Sequence, residues 1–288
     1  MTMRHNHQPG TAFTPRTLSL GCHAEPIQLT FQPGTSVLAA IDEALAARGF
    51  QSAVIEVTQG AFLPLVYVTP IIPADGLHAA WYSDTHAPSG RAEIERLTIV
   101  FGRRDGQPFL HCHGVWQHAD GYRGAGHLMP SDAQFAEPVD ATVWGISGAI
   151  MDQLDDSETR FRLFTPLPHA EAPTIAPRRA VLCRLKPNEP LHRAIEAIAA
   201  SHGIVRASLH GIGSLIGCTF QSGETMTAAA SELLIRSGRL APDAAGDARV
   251  ALDLVIVDPD RRIFEGVIVE GADPVCITFE LLIVEEDD

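Results

Sequence analysis

At 288 residues, 45% hydrophobic and 19% charged, the chain has material for two domains of ordinary size and is not a disordered segment. A formal net charge of −14 disfavours a generic nucleic-acid or anionic-membrane surface, while leaving room for a local basic patch. No apolar run approaches the ~20 residues of a membrane span, the opening MTMRHNHQPG lacks the apolar stretch of a signal peptide, and five scattered cysteines without a C-x-x-C pair read as reduced thiols, so a cytoplasmic protein is expected.

The first element with a clear period is SVLAAIDEALAARGFQSAVIEV, residues 36–57. Ala, Leu and Ile recur at helical spacing up to Gly49, which stands where a helix end needs a left-handed residue, and a strand follows. Residues 68–93, rich in Pro, Gly, Ser and Asp, read as a long surface loop that carries His78, Trp81, Tyr82 and His86. ERLTIVFGR (95–103) and PFLHCHGVWQH (108–118) alternate as strands, and YRGAGHLM (122–129) follows a turn. AEPVDATVWGI (136–146) is a further strand with Pro at its start, where no ladder donor is needed. The proline-rich FTPLPHAEAPTIAPRR (164–179) then reads as a link between two halves.

The second half repeats the first. PLHRAIEAIAASHGIVRASLHG (190–211) matches 36–57, with Ile195 for Ile41, Gly203 for Gly49 and Ile204 for Phe50. ARVALDLVIVD (248–258) and IFEGVIVEG (263–271) take the places of the first half's hairpin strands. ADPVCITFELL (272–282) matches 136–146 through Ala-acid-Pro-Val-x-x-Thr. The expected class is α+β: two tandem domains, each a mostly antiparallel sheet packed against one main helix.

GIGSLIGCTF (211–220), EGVIVEGADPVCITFELLIVEE (265–286) and LHCHGVWQHADGYRGAGHL (110–128) resemble the plants-and-prokaryotes-conserved (PPC) domain. The resemblance covers two copies, residues 15–165 and 178–286, joined by a linker at 166–177. It implies a compact α+β domain that assembles as a homotrimer. Bacterial members are commonly named for DNA binding by analogy with plant proteins that carry an Arg-Gly-Arg-Pro hook. This chain has no such hook, and its pairs Arg103-Arg104, Arg178-Arg179 and Arg261-Arg262 are isolated. The first copy departs from the family's Gly-Gly-His with Gly124-Ala125-Gly126-His127. The second copy is degenerate at the histidine positions, with Asp253 near the place of His113.

His111 and His113, two apart on a strand, share a face. A three-residue loop, Ala119-Asp120-Gly121, would set His113 opposite His127, whereas a two-residue Asp-Gly turn would send His127 to the other face. The longer loop makes a three-histidine cluster, a reasonable site for Zn²⁺ or another divalent ion with one position open to a ligand. Ordinary hydrogen-bonded hairpin histidines are the competing reading, and both stand open. His118 falls on the opposite face and is expected toward solvent. Gly124 and Gly126 mark a close approach of the backbone to a ligand or subunit, or a strand irregularity. Glu137 is a candidate carboxylate for the same pocket, against a solvated strand-start residue.

A cupin is the weaker alternative, because Gln117 and His118 stand where its motif needs Glu. No nucleophile elbow, phosphate loop or H-E-x-x-H helix is present. Three functions follow: a metal- or small-molecule-binding protein, extending to a metal-dependent enzyme on a small acid; a DNA-associated regulator; and a structural oligomerisation module. The charge disfavours the second and the histidine cluster the third.

Overall fold

Ser36 opens the first helix by accepting a hydrogen bond from the Ala39 N–H. Val37, Ala40, Ile41 and Leu45 form its buried face. Gly49, at φ 78°, ends it, and the Phe50 N–H reaches back to Leu45 O at 3.1 Å. The second helix ends in the same way: Gly203 has φ 67° and the Ile204 N–H bonds Ala199 O at 2.9 Å. Both ends are Schellman-type, and the residue that follows each glycine is buried.

The structure, a computed structural model, describes residues 4–172, 174–271 and 273–286. Pro173 of the linker, Ala272 of the repeated Ala-acid-Pro-Val pattern and the first three residues of the opening stretch lie outside these. The first half runs β1 (Thr17–Phe31), α1 (Val37–Ala46), β2 (Ala53–Val57), β3 (Ala61–Phe62), β4 (Tyr67–Val68), β5 (Pro70–Ile71), β6 (Trp81–Tyr82), β7 (Ala92–Arg104), β8 (Gln107–Gln117), β9 (Arg123–Leu128), β10 (Val139–Ser147), β11 (Ala149–Asp155) and β12 (Arg162–Pro168). The second runs β13 (Arg178–Leu185), α2 (Leu191–Ser201), β14 (Ala207–Leu215), β15 (Cys218–Thr219), β16 (Thr225–Met226), β17 (Glu232–Pro242), β18 (Ala248–Val257), β19 (Ile263–Val267) and β20 (Val275–Glu285).

The main strands form one continuous sheet in the order β19-β18-β17-β14-β20-β13-β1-β10-β2-β7-β8-β9-β4. Read outward from the β13–β1 pair, the two sides match: β20 with β10, β14 with β2, β17 with β7, β18 with β8 and β19 with β9. The main pairings are antiparallel, and a single parallel bridge joins Asp152 to Arg103. The halves therefore join edge to edge through β1 and β13, from Thr17 opposite Leu185 to Ala24 opposite Arg178.

The two sides also face each other, with β17 against β8 and β9 and β14 against β7. Strand alternation decides what fills each layer. Ile55, Ile99 and Cys112 face α1, while Val54, Val100 and Val115 face the other half. Phe279, Leu281 and Ile283 face α2, while Leu282 and Val284 face the first half. The result is a layered order of helix, half-sheet, half-sheet and helix, with the one sheet folded on itself. Burying one such aliphatic or aromatic side chain is worth about 1.5–3 kcal/mol. A charged residue on an inner face therefore needs a partner there.

Candidate metal centre

The hairpin of β8 and β9 closes through Ala119-Asp120-Gly121, with Gly121 at φ 87°. The His118 N–H donates to Tyr122 O at 2.8 Å, and His113 pairs with His127. This is the register of the three-residue loop, and it puts His111, His113 and His127 on one face. Val115 and Ala125, on that face, pack in the layer between the halves. Cys112 and Trp116 point the other way, into the α1 core. The imidazoles thus face the second half rather than solvent.

Their ring centroids lie 4.7 Å (His111–His113), 5.0 Å (His111–His127) and 5.4 Å (His113–His127) apart. One nitrogen from each ring falls within 4.8 Å of the others. The His111 Nδ1–H donates to Glu280 Oε2 at 2.8 Å, and the His113 Nδ1–H donates to the Leu233 carbonyl at 2.8 Å. These partners assign the tautomers and leave both Nε2 lone pairs free. The two Nε2 atoms face each other at 3.1 Å. Two lone pairs that close need a proton or a cation between them. Burial pushes His113 well below the usual imidazole range, and His111 and His127 add to the effect, so a proton on His113 is disfavoured. Burial, with His111 nearby, also pushes His127 well down.

His127 Nδ1 is buried without a hydrogen-bond partner, as is Glu232 Oε2. The other oxygen of Glu232 lies 4.0 Å from His127 Nδ1. Burial pushes the Glu232 carboxyl well above the usual range. Three imidazole nitrogens beside a buried acid with one unpartnered oxygen make a donor set that fits a divalent ion such as zinc. Both acids, Glu232 on β17 and Glu280 on β20, come from the second half.

A cavity of about 630 Å³ opens beside His111, His127 and Glu280. A smaller one, about 60 Å³, lies against His113, Glu232, Ser214 and Thr278. The 68–93 segment reaches this place: the Tyr82 ring of β6 lies 5.1 Å from the His127 ring, and Trp81 lies 5.0 Å from Phe161.

The other candidates do not join the cluster. Glu137 bonds Arg91 at 2.6 Å on the surface. At Gly126 a Cβ would stand 2.4 Å from the Val68 carbonyl, and at Gly124 one would stand 2.9 Å from Trp116 Nε1. The close approach at both glycines is made by the chain's own groups. His118 lies on the far face, half-buried, with Nε2 3.4 Å from the Tyr67 hydroxyl. Glu232 and Glu280 escaped the sequence reading, although each is a lone acid beside or within an apolar strand, SELLI and FELLIV. Charge in such a strand was the available signal.

A family model described as the Plants and Prokaryotes Conserved (PCC) domain matches residues 174–287. That match lies in the second half of the chain. Among solved structures, a PPC protein from Pyrococcus horikoshii is similar at 16% identity and a TM-score of 0.41, covering 52% of this chain and 97% of its own. A metal-containing protein from Archaeoglobus fulgidus is similar at 22% identity and 0.40, covering 49% of this chain and 92% of its own. A protein from Ralstonia eutropha JMP134, provisionally named as DNA-binding, is similar at 17% identity and 0.38, covering 49% and 90%. Each thus spans about half of this chain. Curated proteins give no match. Among the described residues, no helix is long and apolar enough to cross a membrane.

Proposed function

We propose that this protein binds a divalent metal ion, zinc or a chemical relative, through His111, His113 and His127, and presents it to a small-molecule ligand. In this reading residues 15–165 form the histidine-bearing domain. Residues 178–286 form a partner domain that has lost the histidines and supplies carboxylates, and 166–177 link the two. The observation that carries the reading is the approach of two imidazole Nε2 atoms at 3.1 Å while both Nδ1 atoms are committed to Glu280 and Leu233. Such an approach is costly in a neutral pair and natural around a cation.

When bound, a divalent ion supplies Lewis acidity toward a carbonyl or a water molecule. That chemistry would suit an enzyme acting on a small acid. The chain's residues would hold the ligand in the adjoining cavity and exclude bulk water with Trp81 and Tyr82. DNA binding is not part of the proposal, because the net charge of −14 opposes it. The resemblance implies a homotrimer, which sedimentation equilibrium would test. Five buried, unpaired cysteines support a reducing compartment, the cytoplasm.

Elemental analysis of the purified chain beside a His111→Ala/His113→Ala variant tests the reading. Near-stoichiometric metal, lost in the variant, is expected. A metal-free wild type that also fails to take up added zinc would refute it.

A further inference from the structure

The wide cavity beside the histidines has an unusual charge for this chain. Arg104, Arg160 and Arg162 line it, and Glu280 is its one acidic lining residue. Glu280 is already bonded to His111. A chain of net charge −14 therefore concentrates guanidinium groups at a large opening next to its histidine cluster.

The three arginines are not equally free. Arg162 is held by both oxygens of Asp105, at 2.7 and 2.8 Å. Arg104 lies 5.6 Å from the Phe109 ring centroid, and only at 3.9 Å does it approach Asp105. Arg160 has no ion pair among the described residues, and its side chain is exposed at the turn between β11 and β12. Its backbone has φ 61°, and its N–H is tied to Asp156 O at 2.8 Å. Such a left-handed backbone is strained for a non-glycine residue. Here the turn carries an uncommitted guanidinium to the cavity. The remaining lining is largely apolar and aromatic, with Trp81, Phe109, Phe161 and Phe164. That suits an organic body better than a bare inorganic anion.

We propose that this cavity is the binding site for a small organic acid, whose carboxylate is held by Arg160 and Arg104 while another oxygen reaches toward His111 and His127. A planar guanidinium matches a carboxylate through paired N–H donors, and stacking of Arg104 on Phe109 keeps it oriented. The inference rests on the metal reading for the second contact, while the arginine contact stands by itself.

Isothermal titration of the full chain with malonate, pyruvate and inorganic phosphate, before and after dialysis against a chelator, tests it. Saturable binding of a carboxylate in preference to phosphate is expected. Arg160→Ala and Arg104→Ala should each weaken it about tenfold, the loss of a charged hydrogen bond, with metal content and melting temperature unchanged. Unaltered affinity in both variants, stronger binding of phosphate, or no carboxylate binding to the wild type would overturn the proposal. If carboxylate binding needs Arg160 in a chain that holds no metal, the arginine subsite stands and the metal reading falls. If metal is present and the arginine variants bind normally, the reverse holds.

Discussion

Glu56 and His210 hold equivalent positions in the two halves, on β2 and β14, and bond to each other: His210 Nδ1 donates to Glu56 Oε1 at 2.9 Å. His210 Nε2 then meets Ser208 Oγ at 2.9 Å, and the imidazole lies 5.1 Å from the Trp144 ring. Two copies of one strand position have thus become a carboxylate and an imidazole that meet between the sheets. A double-mutant cycle with Glu56→Ala and His210→Ala should give a coupling of about 1 kcal/mol in urea unfolding. Strictly additive losses would show that the pair contributes nothing to joining the halves.

Glu280 fixes the ring of His111 from the second half. Glu280→Gln keeps the shape but removes the charge that polarises the imidazole. Zinc affinity, read by competition with a chelating dye, should fall about 10- to 100-fold while the fold is retained. An unchanged affinity would mean that the first half holds the ion without help.

Arg184 on β13 and Asp156, just after β11, form an ion pair at 2.6 Å with both side chains almost fully buried. Burial by itself would raise the Asp156 carboxyl, but Arg184 and the Thr159 N–H outweigh it and hold the group below its usual value. A depressed acid stabilises the fold fully above its unfolded pKa, about 3.9, and loses that contribution as pH falls through the lower, folded value. Acid unfolding of the wild type should show this loss below about pH 4. Asp156→Asn should remove that pH dependence and cost about 3 kcal/mol at neutral pH by stranding Arg184. Equal acid sensitivity in the two proteins would refute the assignment.

Gly126 lets β4 lie against β9, where Val68 pairs with His127. A Cβ there would meet the Val68 carbonyl at 2.4 Å and the Tyr67 ring at 3.2 Å. Gly126→Ala should cost about 1–3 kcal/mol and loosen the start of the 68–93 segment. Limited proteolysis would then cut within 68–93 sooner than in the wild type, and an unchanged rate would count against this account.

Period and punctuation made much of the fold legible. The helical spacing before Gly49 and Gly203, and the alternation of 95–103, 108–118 and 248–258, are local signals that survive in any tertiary setting. The hairpin offered two registers, for a three-residue or a two-residue loop, and the structure takes the first, with Gly121 left-handed and His113 opposite His127. The Glu137 carboxylate shows the limit: nearness in sequence to His127 did not bring it near in space, and Arg91 claimed it.

Alone, then, the amino-acid sequence determined the α+β class, the repeat and the shared face of His111 and His113, because each depends on short-range backbone geometry. Only the tertiary structure decided what that face meets. Sheet pairing of β1 with β13 and the folding of one half onto the other bring Glu232 and Glu280, more than a hundred residues away, against the imidazoles. They also bring Arg160 to the same cavity as His111. Contacts of that separation follow from how two sheets pack, and no local pattern encodes them.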